Sequence, residues 1–142
     1  MRITPCIRGS VLIRMGDRSL CVSNNMVLNG MHWLINRMLP GGPANLSHIA
    51  VGDGTAIIQP GDTALANERA RKPIVTQARD GETLLAETFF DRGEANFQWR
   101  EVGLFSGGTD TLGTGVLIAR ALLDESKDDL RTATVTWQIE VS

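Results

Sequence analysis

Two glutamates in predicted strands, Glu87 and Glu101, are the strongest candidates for acid–base chemistry in this sequence. Glycoside hydrolases use such a carboxylate pair, one as acid and the other as base or nucleophile. Glu87 occupies the polar phase of its strand, which favours a solvated position. Glu101 lies between Trp99 and Val102, where the alternation changes phase, and this predicts a β-bulge. With Arg100 beside it, the pattern favours a structural charge cluster, and a glycan hydrolase is a minor alternative.

The chain has two histidines, His32 and His48, and two cysteines, Cys6 and Cys21. Their spacing matches no zinc motif, and the sequence contains no Gly-x-Ser-x-Gly motif for a serine nucleophile. We therefore predict no catalytic residue, no metal ligand and no cofactor, and a protein that is not an enzyme. Both cysteines are predicted to be buried free thiols, because reduced cysteine behaves as a small hydrophobe.

Three tryptophans, Trp33, Trp99 and Trp137, suggest a second kind of chemistry, the stacking of sugar rings on exposed indoles. Trp99 and Trp137 lie in strands dense with aliphatic residues, where aromatic side chains usually belong to the core. Trp33 lies off the centre of a helical apolar stripe, so it either rims the core or faces a neighbour. The core position is favoured, and a carbohydrate-binding β-sandwich module in host-surface recognition is the alternative function.

Composition and charge argue against several classes of partner. The 142 residues are 42% hydrophobic and 21% charged, as in an ordinary globular chain. A formal net charge of −2 gives no basic patch for nucleic acid or an anionic membrane. No stretch reaches the roughly 20 apolar residues of a membrane span, and residues 1–10 lack the apolar core of a signal peptide. We therefore expect a chain made and kept in a cytosol, with no nucleic-acid or membrane partner.

The elements that position these residues begin with a hairpin in residues 1–22, which turns at residues 15–18. The one convincing helix is predicted for about residues 24–39, with Ser23 or Asn24 as its cap. Its apolar residues recur at helical spacing and are expected to form its core-facing stripe. They are Val27, Met31, Leu34, Ile35 and Met38.

Beyond the helix the chain is predicted to be mostly β-strand. Residues 46–51 form a short strand, and a long irregular connection follows it. Within that connection, residues 62–68 are predicted to form a short turn of helix, with Leu65 filling an apolar hole. Four longer strands are predicted at residues 84–90, 97–105, 116–123 and 133–141.

The last strand has the clearest pattern in the sequence. Trp137 and Ile139 fall on an apolar face, while Thr134, Thr136 and Gln138 fall on a polar one. Because the side-chain period is two, a slip by one residue would expose the apolar set, so the register is strongly specified. The polar face, or a free edge beside it, is either solvated or in contact with another subunit.

These elements predict a mainly β fold: an antiparallel β-sandwich or meander of about seven or eight strands, with one α-helix in the N-terminal half. A single domain is expected over residues 1–142. Within it, residues 1–22 form the hairpin, residues 23–39 contain the helix, and residues 46–142 form a β-rich body.

Five short segments follow one another along the chain, at residues 48–55, 62–68, 100–105, 117–121 and 135–139. Together, and in this order, they resemble a family of tailed-bacteriophage tail-fibre and baseplate structural proteins. The resemblance runs from about the helix to the C-terminus. It is nearest to a short fibre-attachment or adaptor-like member, because no shaft or repeat is present in the sequence.

The resemblance implies a virion structural protein of the tail, a baseplate or fibre-attachment component that links the tail tip to fibre proteins. It implies other tail, baseplate or fibre proteins as partners, a homo-oligomer with three copies as the preferred number, and assembly in the host cytoplasm. It supplies no catalytic residues. We expect the long connection and the N-terminal hairpin to contact other subunits. The residues predicted for such contacts are Gly54, Thr55, Ile57, Ile58, Leu65, Trp33, Arg100 and Glu101.

Overall fold

The structure, a computed structural model, describes residues 6–141 of the chain. Within this range it has ten strands and one helix. In chain order they are β1 (Ile7–Met15), β2 (Arg18–Ser23), β3 (Asn25–Met26), α1 (Leu28–Arg37), β4 (Leu46–Gly52), β5 (Glu68–Pro73), β6 (Thr76–Asp80), β7 (Thr83–Phe90), β8 (Gln98–Ser106), β9 (Val116–Ser126) and β10 (Ala133–Val141).

The strands form two antiparallel sheets of five strands each. Sheet A has the order β2-β1-β10-β7-β6, and sheet B has the order β3-β9-β8-β4-β5. The main core cluster takes its side chains from both sheets, as in a sandwich. The predicted mainly β, sandwich-like architecture is confirmed, with ten strands where seven or eight were expected.

Two of the three tryptophans lie in this core. Trp99 and Trp137 are fully buried, and the ring of Phe90 meets Trp99 edge-on with 5.2 Å between ring centroids. Trp33 is half-buried against the cluster, and its indole N–H donates to the Ala44 carbonyl at 2.9 Å. The core position predicted for Trp99 and Trp137 is confirmed, and they offer no exposed platform for a sugar.

The C-terminal strand β10 is the middle strand of sheet A. Trp137 pairs with Val11 of β1 on one side and with Ala86 of β7 on the other. The predicted alternation is confirmed from Ala133 to Trp137, where the apolar residues are fully buried. The suggestion of a free edge beside this strand is wrong, because both of its edges are hydrogen-bonded within the sheet.

The N-terminal hairpin is present as β1 and β2, with Gly16 at φ 58° in the turn, a left-handed conformation that glycine adopts without strain. The part of the predicted hairpin in residues 1–5 lies outside the described residues. Both cysteines are exposed, so the prediction of buried thiols is wrong. Cys21 pairs with Leu12 across the hairpin, on the side of sheet A turned away from the core.

Helix α1 is shorter than predicted because the segment before it forms strand β3. Asn25 and Met26 pair with Arg120 and Ala119 of β9, so the backbone is held extended there. The helix begins after Val27, and the predicted caps Ser23 and Asn24 lie too far upstream to cap it. The backbone hydrogen bonds that β3 gains in sheet B replace those a longer helix would make.

The apolar stripe of α1 does not face the core as expected. Val27, before the helix, is fully buried, and Leu34 is half-buried. Met31, Ile35 and Met38 are exposed to solvent. The helix instead approaches β9 through Gly30, where an added Cβ would lie 2.1 Å from the carbonyl oxygen of Ile118.

The second half of the chain follows the prediction, except in the connection between β4 and β7. The predicted helical turn at residues 62–68 is wrong, since the chain there forms bends that lead into β5. Strands β5 and β6 were not predicted. Both are rich in polar and charged residues and lie at sheet edges, where one side of the strand stays in solvent.

Candidate interaction site held by Glu101 and Arg120

The carboxylate of Glu101 is fully buried on β8, at a position where the register of β8 and β9 shifts between Trp99 and Glu101. This is the bulge that the phase change in the sequence predicts. At this shift the side chain of Glu101 is buried and contacts the loop of residues 53–67. A buried carboxylate is costly unless its oxygens are saturated with donors.

Four donors satisfy that carboxylate. Oε2 accepts from the backbone N–H of Gly54 at 2.9 Å and of Asn67 at 2.7 Å. Oε1 accepts from the N–H of Ala66 at 2.8 Å and from the Arg120 guanidinium at 2.8 Å. Because every short contact goes to a structural donor, Glu101 is occupied as an acceptor and is unsuited to act as a general base.

Arg120 extends the network to the other side of the loop. Its guanidinium, almost fully buried on β9, donates to Asp62 at 2.7 Å and to the carbonyl of Ala56 at 3.3 Å. Its Nε has no partner within residues 6–141. Burial raises the pKa of Asp62, but hydrogen bonds from the Gln59 N–H and from Arg120 outweigh it and hold that pKa below its ordinary value.

A second polar contact closes the base of the loop. The side-chain amide of Asn67 donates to Asp53 at 2.5 Å, and Arg69 pairs with Asp53 at 3.0 Å. The Asn67 hydrogen bond is the main reason that the pKa of Asp53 is lowered. The two ends of the loop are therefore tied to each other as well as to the sheet.

Glycine is required where the loop runs closest to Glu101. A Cβ on Gly54 would lie 2.4 Å from Glu101 Oε2 and 2.4 Å from the Ala66 Cβ, so no larger residue fits there. Gly103 of β8 similarly makes room for Leu65, whose Cδ2 would be 2.8 Å from an added Cβ. Close packing of backbone and side chain thus fixes the path of the loop.

Leu65 fastens the loop through apolar contact. It is 6% exposed and belongs to a small cluster separate from the main core. The other members of that cluster are Val27, Ala50, Phe105 and Leu117. The predicted role of Leu65 as a plug for an apolar hole is confirmed, although no helix carries it.

Two more buried cations hold other loops in the same way. Arg71 of β5 donates twice to Glu68, at 2.7 and 2.9 Å, and also to the carbonyl of Thr114 at 2.8 Å, which fixes the β8–β9 loop. Lys127 donates to the carbonyl of Asp91 at 2.8 Å and to Asn96 at 2.7 Å, and burial lowers its pKa. Sequence analysis missed both.

The residues predicted for subunit contacts fall into three groups by exposure. Glu101 and Leu65 are buried within the chain, so any effect on a contact surface passes through the loop they hold. Gly54, Ile58 and Trp33 are half-buried. Thr55, Ile57 and Arg100 are exposed, and Arg100 lies 3.5 Å from Asp124 of β9. Their contact with other subunits remains a prediction.

The two glutamates of the enzyme alternative do not face each other across a cleft. Glu87 lies on sheet A and accepts a hydrogen bond from Thr136 at 2.9 Å, whereas Glu101 lies on sheet B. His48 is nearly buried and pairs with Asp110 at 2.9 Å. Across residues 6–141, no three metal-binding side chains converge on one point. Nor does any helix in that range have the length and apolar character to cross a membrane.

The buried charges of this β-sandwich fasten loops, and the fold and the site together define a structural, scaffold-like domain. Comparison of the sequence with known protein families identifies which kind of structural protein this is. A family model described as "Phage tail-collar fibre protein, N-terminal" matches residues 24–127, a range that includes Glu101, Arg120 and the loop between Asp53 and Asn67.

The match covers well over half of the chain, so the chain belongs to this family of phage tail fibre proteins. The family has a structural role in the virion tail and associates with other tail proteins. No curated protein and no solved structure matches the sequence.

Proposed function

We propose that the chain is an adaptor of the phage tail, seated at the baseplate or tail tip and joined to a fibre protein. In this proposal it works as a homo-oligomer, with three copies as the preferred number, and is assembled in the host cytoplasm. It has no enzymatic activity of its own. The loop of residues 53–67 is a contact surface toward the partner.

One observation carries this proposal: a loop that is hydrogen-bonded to side chains of sheet B still exposes an apolar side chain to solvent. Glu101 and Arg120 hold the loop by hydrogen bonds on both sides of Ile57, yet Ile57 itself is 75% exposed. Ordering a loop at an interface normally reduces the binding free energy. Here hydrogen bonds within the chain already order the loop before the partner binds. A preordered exposed apolar residue is typical of a contact surface.

The test uses phage particles that carry Ile57→Glu in this chain. Electron microscopy of purified particles should show tails that lack the attached fibre. The interface would bury the carboxylate of the glutamate with no cation or hydrogen-bond donor to pair with it. The matched control is Leu130→Glu, since Leu130 is equally exposed, at 76%, in the loop before β10. Control particles should carry fibres normally. Fibres retained on Ile57→Glu particles would show that this loop makes no such contact.

A further inference from the structure

The connection between β8 and β9, residues 107–115, is tied to sheet B by buried side chains. It is longer than the roughly two to five residues of most hairpin loops. Arg71, whose side chain is fully buried, donates to the carbonyls of Thr109 at 3.1 Å and Thr114 at 2.8 Å. The same guanidinium lies over the ring of Phe105, 4.6 Å from its centroid. We call residues 107–115 the second loop.

Two further contacts fasten the first half of the second loop. The N–H of Gly108 donates to the Ser47 hydroxyl at 2.9 Å, and His48 pairs with Asp110 at 2.9 Å. Leu112, the one large apolar residue of this loop, is nonetheless 47% exposed. Ordering a chain segment costs conformational entropy, and here that order does not serve to bury the apolar side chain of the loop.

The second loop lies on the same face of sheet B as the loop of residues 53–67. Side chains alternate along a strand, and Leu104 of β8 points into the main core. Glu101 and Phe105 are each an odd number of residues from Leu104, so both point to the outer face of the sheet. Glu101 holds the loop of residues 53–67, and Phe105 packs under Arg71, which holds the second loop.

Glu68 joins the two loops directly. Its carboxylate accepts two hydrogen bonds from Arg71 and a longer one, at 3.4 Å, from the N–H of Gly113 in the second loop. The residue before it, Asn67, donates its own N–H to Glu101 at 2.7 Å. The buried networks around Glu101 and Arg71 are therefore linked through two consecutive residues of the chain.

Each of the two loops exposes a large aliphatic side chain. Ile57 is 75% exposed in the first, and Leu112 is 47% exposed in the second. Both loops are ordered by contacts within the chain, so a partner would bind them without the usual loss of conformational freedom. Ordered, exposed apolar residues next to each other on one face are the anchors that a protein interface uses.

The charges of the two loops indicate which kind of partner surface they fit. Neither loop contains a lysine or an arginine. Asp53 and Asp62 of the first loop pair with arginines of the chain. Asp110 of the second loop keeps 85% of its side chain exposed, so it adds negative charge to the surface. Like charges facing each other oppose binding, so the complementary partner surface has basic rather than acidic residues around its apolar centre.

We propose that the second loop binds the same fibre protein as the loop of residues 53–67, and that one apolar segment of that protein with a basic rim covers both loops. The inference rests on the proposed function and deepens it. It adds Leu112 as an anchor beside Ile57, and it assigns Arg71 the role of positioning the second loop.

Phage particles that carry Leu112→Glu test the proposal. The number of fibre-bearing tails seen by electron microscopy should fall roughly tenfold, as expected for the loss of one interface anchor. Because Leu112 is exposed, the purified variant should keep the circular dichroism spectrum and the unfolding temperature of the unaltered chain. Leu130→Glu is the matched control in another loop, and its particles should carry fibres normally.

Photo-cross-linking in assembled particles shows whether the two loops share a partner. The photoreactive amino acid p-benzoyl-phenylalanine is placed at position 57, 112 or 130 in separate preparations. Positions 57 and 112 should cross-link to one and the same fibre protein, whereas position 130 should give no such product. Mass spectrometry of the products locates the partner segment, and a segment rich in aspartate and glutamate would overturn the proposed chemistry of the partner.

The cross-links also separate this inference from the proposed function. If position 57 cross-links to the fibre protein while position 112 gives no product, or a product with a different protein, the second loop is not part of the site and the proposed function stands. If neither position cross-links to the fibre protein, the proposed contact fails and the inference fails with it.

Discussion

Glu101 joins elements that lie far apart in the chain. Its two oxygens accept from the amides of Gly54, Ala66 and Asn67 and from Arg120. A buried ion pair gives little net stability over an apolar replacement, but removing one partner leaves the other charge unpaired. The contribution of Glu101 is therefore best measured by a change that keeps its shape and removes its charge.

We expect Glu101→Gln to lower the free energy of unfolding by about 3–5 kcal/mol. Both oxygens of Glu101 receive N–H donors, so either orientation of the glutamine amide places its NH₂ group against a donor, and Arg120 keeps only Asp62 as an ionic partner. Urea denaturation followed by tryptophan fluorescence measures the loss.

Glu87→Gln is the control for that variant. Glu87 is half-buried and accepts from Thr136, a hydrogen bond that the amide oxygen of glutamine can keep. We expect a loss within about 1 kcal/mol. Equal losses for the two variants would contradict the role assigned to the buried pair.

The pKa of Asp62 predicts an acid-dependent loosening of the loop. Because its folded pKa is lowered below 3.8, the stability it contributes is complete above that value and is lost as the pH falls through the folded pKa. The unaltered chain should lose stability as the pH falls below about 4, and Asp62→Asn should lose less over this range.

Denaturation curves at several pH values check this expectation. The control Asp17→Asn removes a carboxylate from the exposed β1–β2 turn and should leave the slope of stability against pH close to that of the unaltered chain. An Asp62→Asn variant with the same slope as the unaltered chain would show that Asp62 does not couple protonation to folding.

Sequence reasoning reached part of this site. The phase change at Glu101 predicted the bulge and a structural charge cluster, and the position of Leu65 predicted an apolar anchor. The partner Arg120 was not predicted, because it lies within the apolar run of β9 and its contacts with Asp62 and Glu101 depend on long-range folding. The exposure of the residues predicted for subunit contacts was not predictable either, because it also depends on how distant segments pack together.

At the scale of elements, the closest approach of helix α1 to the body is at Gly30. Gly30 meets the backbone of β9 at Ile118, which fixes the distance and the rotation of the helix. The sequence shows the apolar spacing of the helix, but spacing alone does not tell which side meets the body. Gly30 marks the side of the helix that contacts β9, because a glycine inside a helix disfavours the helix and needs another structural reason.

We expect Gly30→Ala to destabilise the chain by about 1–3 kcal/mol, although alanine is the better helix former. The added Cβ would overlap the Ile118 carbonyl, so the helix must move away from β9. Gly61→Ala is the control, since a Cβ there has no neighbour within 4 Å in the described part of the chain. Thermal unfolding compares the two, and a Gly30→Ala variant as stable as the control would contradict this packing.

At the scale of the whole molecule, the two sheets are assembled from strands distant in sequence. β10 completes the centre of sheet A between β1 and β7, so the first and last strands of residues 6–141 are neighbours. The alternation of β10 predicted one buried face, but period-two patterns carry no information on which strands pair. For this reason the strands were largely predictable while the sheet order was not.

The family and the fold together indicate a structural part of the phage tail. Its buried cations Arg71, Arg120 and Lys127 each fix a loop, and its family belongs to phage tails. We propose that the sandwich is the body from which the loop of residues 53–67 contacts another tail protein.

Electron cryomicroscopy of purified phage particles tests that claim most directly. We expect density at the tail tip or baseplate that fits the two five-stranded sheets, with the loop of residues 53–67 against another tail protein. Particles with complete tails in which neither density nor mass spectrometry finds the chain would contradict the account.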